Sequence, residues 1–145
     1  MSKIVKPSHF SQNFLEAFRT RYPNFATQIQ VEVKSNNFGD SLVIRRPSPS
    51  EQSGELLLLT ENEEITIAFA NLFHCHCADS EEAFSFLDEL FGEALCVAAF
   101  YDGEKALGGC TFAAGEDPLT QGFDDATRVC ARSWNGKFNF DLKKS

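Results

Sequence analysis

The feature that most constrains this chain is a change of hydrophobic period along it. Two segments space their apolar residues as one face of a helix. Nearly everything else alternates or forms short apolar runs broken by Gly, Pro, Asn and Asp. Residues 9–22 carry Phe10, Phe14 and Phe18 at intervals of four, with Leu15 and Tyr22 beside them. Pro7-Ser8 supplies a start and Pro23 a stop. Residues 80–92 carry Ala83, Phe84, Leu87, Leu90 and Phe91, and Asp79 with Glu82 has the spacing of a capping box. Between and after these helices the sequence predicts strands over 28–34, 42–45, 55–60, 64–73, 95–101, 106–113, 128–134 and 138–142. Turns fall at Asn36 to Asp40, around Asn62, at Asp102-Gly103 and at Asn135-Gly136, with loops over 47–54 and 115–125. Gly108-Gly109 marks a bulge or a close backbone approach. The order predicts an α+β fold: a mostly antiparallel sheet of about six to eight strands with two helices packed on it, in one domain over 1–145.

Charge placement carries the first functional information. The chain has 21 Asp and Glu against 13 Lys and Arg, a formal net charge of -8. Such a surface repels phosphate backbones and anionic lipid, which disfavours direct binding to nucleic acid or membrane surfaces. The charge is unevenly spread. Pro47 to Glu104 holds 13 acids and no Lys or Arg, and the remainder holds 8 acids and 13 bases. That block reads either as a solvated face or as a docking surface for a basic macromolecule. In the second helix Asp79, Glu81 and Glu82 lie at the end where the helix dipole favours them. Asp88, Glu89 and Glu93 lie toward the other end, with no local benefit evident in the sequence, which makes them the stronger candidates for partner contact. No signal-peptide core follows Met1. The longest apolar run, Ala94 to Tyr101, is eight residues, far short of the ~20 a membrane helix needs. The expected location is the cytoplasm.

Residues able to do chemistry are few. The five cysteines, Cys75, Cys77, Cys96, Cys110 and Cys130, form no CxxC and sit in apolar contexts, as reduced buried thiols do. His74-Cys75-His76-Cys77 is the one cluster of metal-type ligands. On a strand it places both imidazoles on one face and both thiols on the other, two ligands to a side where structural zinc takes four. Asp79 would be a third ligand on the histidine face. The same alternation separates His74 from Cys75 and so denies it that thiol as a nucleophile. Neither GxGxxG, GxxxxGK[ST] nor GxSxG occurs. Trp134, before the Asn135-Gly136 turn, reads either as core packing or as an interface anchor. These observations favour a binding protein over an enzyme, with no cofactor and no metal.

Two motifs carry a family likeness. Glu64-Ile65-Thr66-Ile67-Ala68-Phe69 leading to His74-Cys75-His76 resembles a strand and His-x-His segment of bacterial polymorphic-toxin immunity proteins, the contact-dependent inhibition type. Arg132-Ser133-Trp134-Asn135-Gly136 resembles their Ser-Trp-x-Gly element. The likeness covers roughly residues 55–140 and departs at Ala68, where Gly is usual, and at Asn139, where an acid is common. It implies a cytoplasmic protein that binds a cognate toxin C-terminal domain, a basic nuclease, and occludes its active site. The expected contact surface is Glu61, Glu63, Glu64, Asp79, Glu82, Asp88, Glu89 and Glu93, with His74, His76 and Trp134 nearby. The alternatives are a small enzyme using His74 or His76, with or without a metal, and a structural subunit or homo-oligomer that uses an exposed strand edge or a Phe-rich surface.

Overall fold

The computed structural model describes residues 8–25, 28–36, 39–50, 53–116 and 125–143, with backbone alone for 34–36, 39 and 40. Helix α1 runs His9–Arg21. Ser8 caps it, its hydroxyl accepting from the Ser11 amide at 3.2 Å, and Pro23 opens a short 3-10 turn, Pro23–Phe25, beyond its end. Phe14 and Phe18 are buried as the four-residue spacing requires. Ser11 is buried too. Its hydroxyl meets that of Thr60 at 2.6 Å, so the one polar group on the helix's inner face is satisfied by the sheet beneath it.

That sheet is an antiparallel meander: β1 (Gln30–Asn36), β2 (Gly39–Pro47), β3 (Glu55–Glu61), β4 (Glu64–Phe69) and β5 (Phe73–Cys77), paired in that order. Register turns the sequence alternation into two opposed surfaces. Ile44, Leu58, Ile67 and Cys75 align on the helix-covered face, as do Leu42, Thr60, Ile65 and Cys77. On the other face run Val43, Leu59, Thr66 and His76, and Arg45, Leu57, Ala68 and His74. Helix α2, Ser80–Phe91, packs Ala83, Leu87 and Leu90 into the same core, and Phe84 stacks on Phe14 at 5.8 Å.

A second antiparallel sheet follows: β6 (Leu95–Asp102), β7 (Lys105–Ala113), β8 (Arg128–Arg132) and β9 (Phe140–Lys143), ordered β7-β6-β8-β9. The apolar run that began at Ala94 is explained by β6, whose residues Cys96 to Phe100 are all buried. Val97 belongs to the helix-covered core, while Cys96, Ala98 and Phe100 belong to a second core with Phe112, Ala126, Val129 and Ala131. A strand covered on both faces loses alternation and becomes continuously apolar.

The α+β class and both helices match the sequence reading. Two expectations are corrected. The strands form two sheets, of five and four, rather than one. The segment 64–73 is not one strand. It breaks at Ala70 and Asn71, whose φ values of 60° and 58° reverse the chain, and the Leu72 amide donates to the Phe69 carbonyl at 3.1 Å. His74 to Cys77 thereby gains a strand of its own. The pattern hid this because Ala70-Asn71-Leu72-Phe73 contains a single turn-forming residue.

Gly108-Gly109 serves both functions its sequence suggested. The β6–β7 register shifts beside Gly108, between Phe100 and Tyr101. At Gly109 a side chain would begin 2.9 Å from the Leu72 carbonyl oxygen and 3.1 Å from that of Ala98. Those neighbours are backbone and cannot yield cheaply. Gly109→Ala is expected to destabilise the protein by about 1–3 kcal/mol in urea denaturation, with no change in secondary-structure content.

Candidate functional site

The candidate contact acids of the block fall at opposite ends of α2, which at 12 residues is about 18 Å long; Glu55, Asp102 and Glu104 lie elsewhere, on β3 and at the β6–β7 turn. At the N-terminal end a chain of contacts gathers Glu61, Glu64, Asp79 and Glu82, with Glu63 and Glu81 next to them in sequence. The β3–β4 turn sets Glu61 opposite Glu64 in the ladder. Glu64 Oε1 lies 2.6 Å from His76 Nδ1, and Thr66 Oγ1 lies 2.9 Å from the same nitrogen. A carboxylate only accepts, so the contact with Glu64 is a hydrogen bond donated by Nδ1. One residue past β5, the Ala78 amide donates to Glu82 Oε2 at 3.0 Å, and the Glu82 amide donates to Asp79 Oδ1 at 2.9 Å. The reciprocal cap expected from Asp79 and Glu82 is therefore present, with Glu82 reaching one residue further back than the usual capping box. Glu63, Glu64, His76, Asp79, Glu81 and Glu82 are all exposed. Glu81 was absent from the expected contact set; the signal for it was its place in the first turn of α2.

Glu63 is the unusual member. The β3–β4 hairpin turns on Asn62 and Glu63, with φ of 52° and 58°. Two consecutive left-handed residues suit Asn-Gly. Asn62 tolerates the conformation, but at Glu63 it costs of order 1 kcal/mol that glycine would avoid. The turn thus holds a carboxylate at its tip against its own conformational preference.

At the other end the structure corrects the expectation that Asp88, Glu89 and Glu93 lack local employment. Asp88 pairs with Arg21 and accepts from the Tyr22 hydroxyl at 2.7 Å, tying α2 to the end of α1. These bonds hold the Asp88 carboxyl below the usual carboxylate range, through Arg21 first and Tyr22 second. Burial, and then the Asp88 hydrogen bond, push the Tyr22 phenol up. Glu93 takes the left-handed position after α2, with φ of 62°, and the Ala94 amide closes back on the Glu89 carbonyl at 3.0 Å. The Asn135 amide donates to Glu93 Oε1, fastening the loop after β8 to the helix. Glu89 is exposed, and alone of the three its side chain has no such role among the described contacts.

Trp134 is also corrected as a contact residue, because it is 3% exposed. Its ring packs against Phe91 at 4.9 Å, Phe69 at 5.8 Å and Phe25 at 6.2 Å, with the Arg46 guanidinium over it at 5.4 Å. It is a core residue of the first sheet, delivered by the loop of the second.

His74 and His76 share the exposed face, ring centroids 5.4 Å apart, while Cys75 and Cys77 turn toward the helices. Among the described residues no three His, Cys, Asp or Glu converge to hold a metal. Burial pushes every thiol up, Cys77 to about 12 and Cys96 to about 11. Glu82 adds to the effect at both Cys75 and Cys77. A nucleophilic cysteine needs the opposite environment. His74 also borders a cavity of about 340 Å³ between β5 and β7, with Phe73, Tyr101 and Gly109, but no carboxylate or thiol lines it. No helix among the described residues is long and apolar enough to cross a membrane.

Searches against protein families, curated proteins and solved structures return no match to this chain.

The Asp88 carboxyl is more acidic folded than unfolded. Its contribution is complete above the unfolded carboxylate range and is lost as pH falls through the folded value. Stability of the native protein, followed by urea midpoint from pH 7 to pH 3, should therefore decline more steeply than that of Asp88→Asn, with the two curves converging at the acid end.

Proposed function

We propose that this protein is a cytoplasmic immunity protein that neutralises a cognate toxin domain, a basic nuclease, by seating its acidic end over the toxin's active-site cleft. The family reading rests on the His-x-His strand and the Ser-Trp-x-Gly segment of the sequence; the location of the contact rests on geometry. Glu61 faces Glu64 across the β3–β4 hairpin, the β4–β5 ladder brings that end beside Cys77, and Asp79 and Glu82 cap α2 just beyond, with Glu63 and Glu81 next in sequence. A cluster of this sign raises the encounter rate with a cationic cleft and opposes the same phosphates the nuclease would bind. Occlusion requires no catalytic group on the inhibitor.

Glu63 is the observation that carries this reading. Glu63 is an exposed carboxylate kept in a conformation that favours glycine, and a partner for its side chain would account for its place at the tip of the turn. Asp88, Glu93 and Trp134 are assigned to the fold and leave the contact set. Glu89 leaves it by position, at the far end of α2.

The test uses the C-terminal domain of a large secreted protein encoded directly upstream of this chain, with association followed by stopped flow or interferometry. The triple variant Glu63→Lys, Glu64→Lys and Glu81→Lys should slow association by roughly 10- to 100-fold and flatten its salt dependence. Glu89→Lys should change neither. Glu63→Gly should raise stability by up to about 1 kcal/mol while still slowing association. Identical association rates for the native protein and the triple variant would remove the acidic end from the interface. Failure of the native protein to bind any such domain would remove the immunity reading itself.

A further inference from the structure

The short strand β9 ends the second sheet, and no described strand lies beyond it. All four of its residues are exposed. Phe140 and Leu142, at 36% and 42%, are among three large apolar side chains so exposed in the described chain, and both lie on this edge strand. Register shows what they are. Leu142 pairs with Val129 and Phe140 with Ala131, residues of the second core. The apolar face of the sheet therefore continues past its last covered strand. On the opposite face stand Asp141 and Lys143, in line with Cys130 and Arg128. At the other edge of the same sheet, β7 is interrupted by its bulge and by Gly108-Gly109, features that discourage further strand pairing. Nothing comparable interrupts β9.

We propose that β9 is a self-association edge, through which a second copy of this chain pairs antiparallel about a two-fold axis at Leu142. The register follows from side-chain alternation. A two-fold pairing must bring like faces together, which excludes any axis between residues. An axis at Phe140 would set Asp141 and Leu142 against residues of the turn before the strand, outside β9; one at Asp141 would set two carboxylates opposite each other, and one at Lys143 two ammonium groups. The axis at Leu142 sets leucine against leucine on the apolar face. On the polar face it sets Asp141 against Lys143 of the second copy, twice. Asp141 can take this second cation. Arg132 bonds it at 2.9 and 3.3 Å but leaves its side chain 61% exposed. The two four-stranded sheets thereby become one of eight strands, with Leu142 covered. Residues 141–143 of each copy face one another in this register, a small contact, so the dimer is a dynamic one. The acidic end lies on other elements, and this inference does not rest on the toxin-binding reading.

The full chain should show a concentration-dependent monomer–dimer equilibrium by sedimentation velocity at loadings up to about 0.5 mM. Lys143→Glu, which sets two acids opposite each other twice, should weaken it on the order of tenfold. Residues directly opposite across antiparallel strands are close enough for a disulfide. Leu142→Cys should therefore give a covalent dimer under mild oxidation. Phe140→Cys and Val31→Cys should not, since Phe140 does not face itself in this register and Val31 lies on the other sheet. A protein that stays monomeric throughout overturns the proposal. So does a dimer indifferent to Lys143→Glu, or one that cross-links at Val31→Cys and not at Leu142→Cys.

Discussion

Strand β6 is the constraint on which the rest of the molecule depends. Its side chains serve two cores in alternation: Val97 faces the helices and the first sheet, while Cys96, Ala98 and Phe100 face the second. A strand enclosed on both sides tolerates little variation in volume, because neither face can relax into solvent. Ala98 and Ala99 keep it thin, and Gly109 opposite Ala99 lets the Leu72 carbonyl, just before β5, approach the backbone of β7. The junction of the two sheets is therefore specified by small residues rather than by large ones.

The acidic end is tolerated by a fold that neutralises its cost locally. Asp79, Glu81 and Glu82 stand at the start of α2, where unpaired amides present partial positive charge. Asp79 and Glu82 each accept a backbone amide there, and Glu64 engages His76. The carboxylates thus contribute to the element that displays them. This arrangement lets a dense negative surface form without a burden of like-charge repulsion that would melt the helix. Glu63 lies outside the compensation, which is why its conformation is informative. By contrast Asp88 and Glu93 are committed to Arg21 and to the Asn135 amide, and their charge is already answered within the chain.

What the sequence made legible was local. The Phe10-Phe14-Phe18 stripe, the Ser8 and Asp79 caps, the alternation of His74-Cys75-His76-Cys77 and the double role of Gly108-Gly109 all follow from neighbours within a few residues. The division into two sheets was illegible because it depends on β6 pairing with β8 across a long intervening segment, and on a turn at Ala70-Asn71 with almost no turn residues. The roles of Asp88 and Glu93 were illegible for the same reason. Arg21 is 67 positions from Asp88, and Asn135 is 42 from Glu93. An acid near a helix C-terminus looks idle until the distant donor that occupies it is located in space.

Trp134 has one more consequence. Its indole sits among Phe25, Phe69 and Phe91 of the first core, yet the chain that carries it belongs to the loop between β8 and β9. The five-stranded meander closes through short hairpins, whereas seating this ring requires the chain to return across the whole second sheet, at greater loop-closure entropy. The only tryptophan in the sequence is thus a built-in optical reporter. Its emission registers the joining of the two halves, and a refolding intermediate holding the meander alone would leave it dark to that signal.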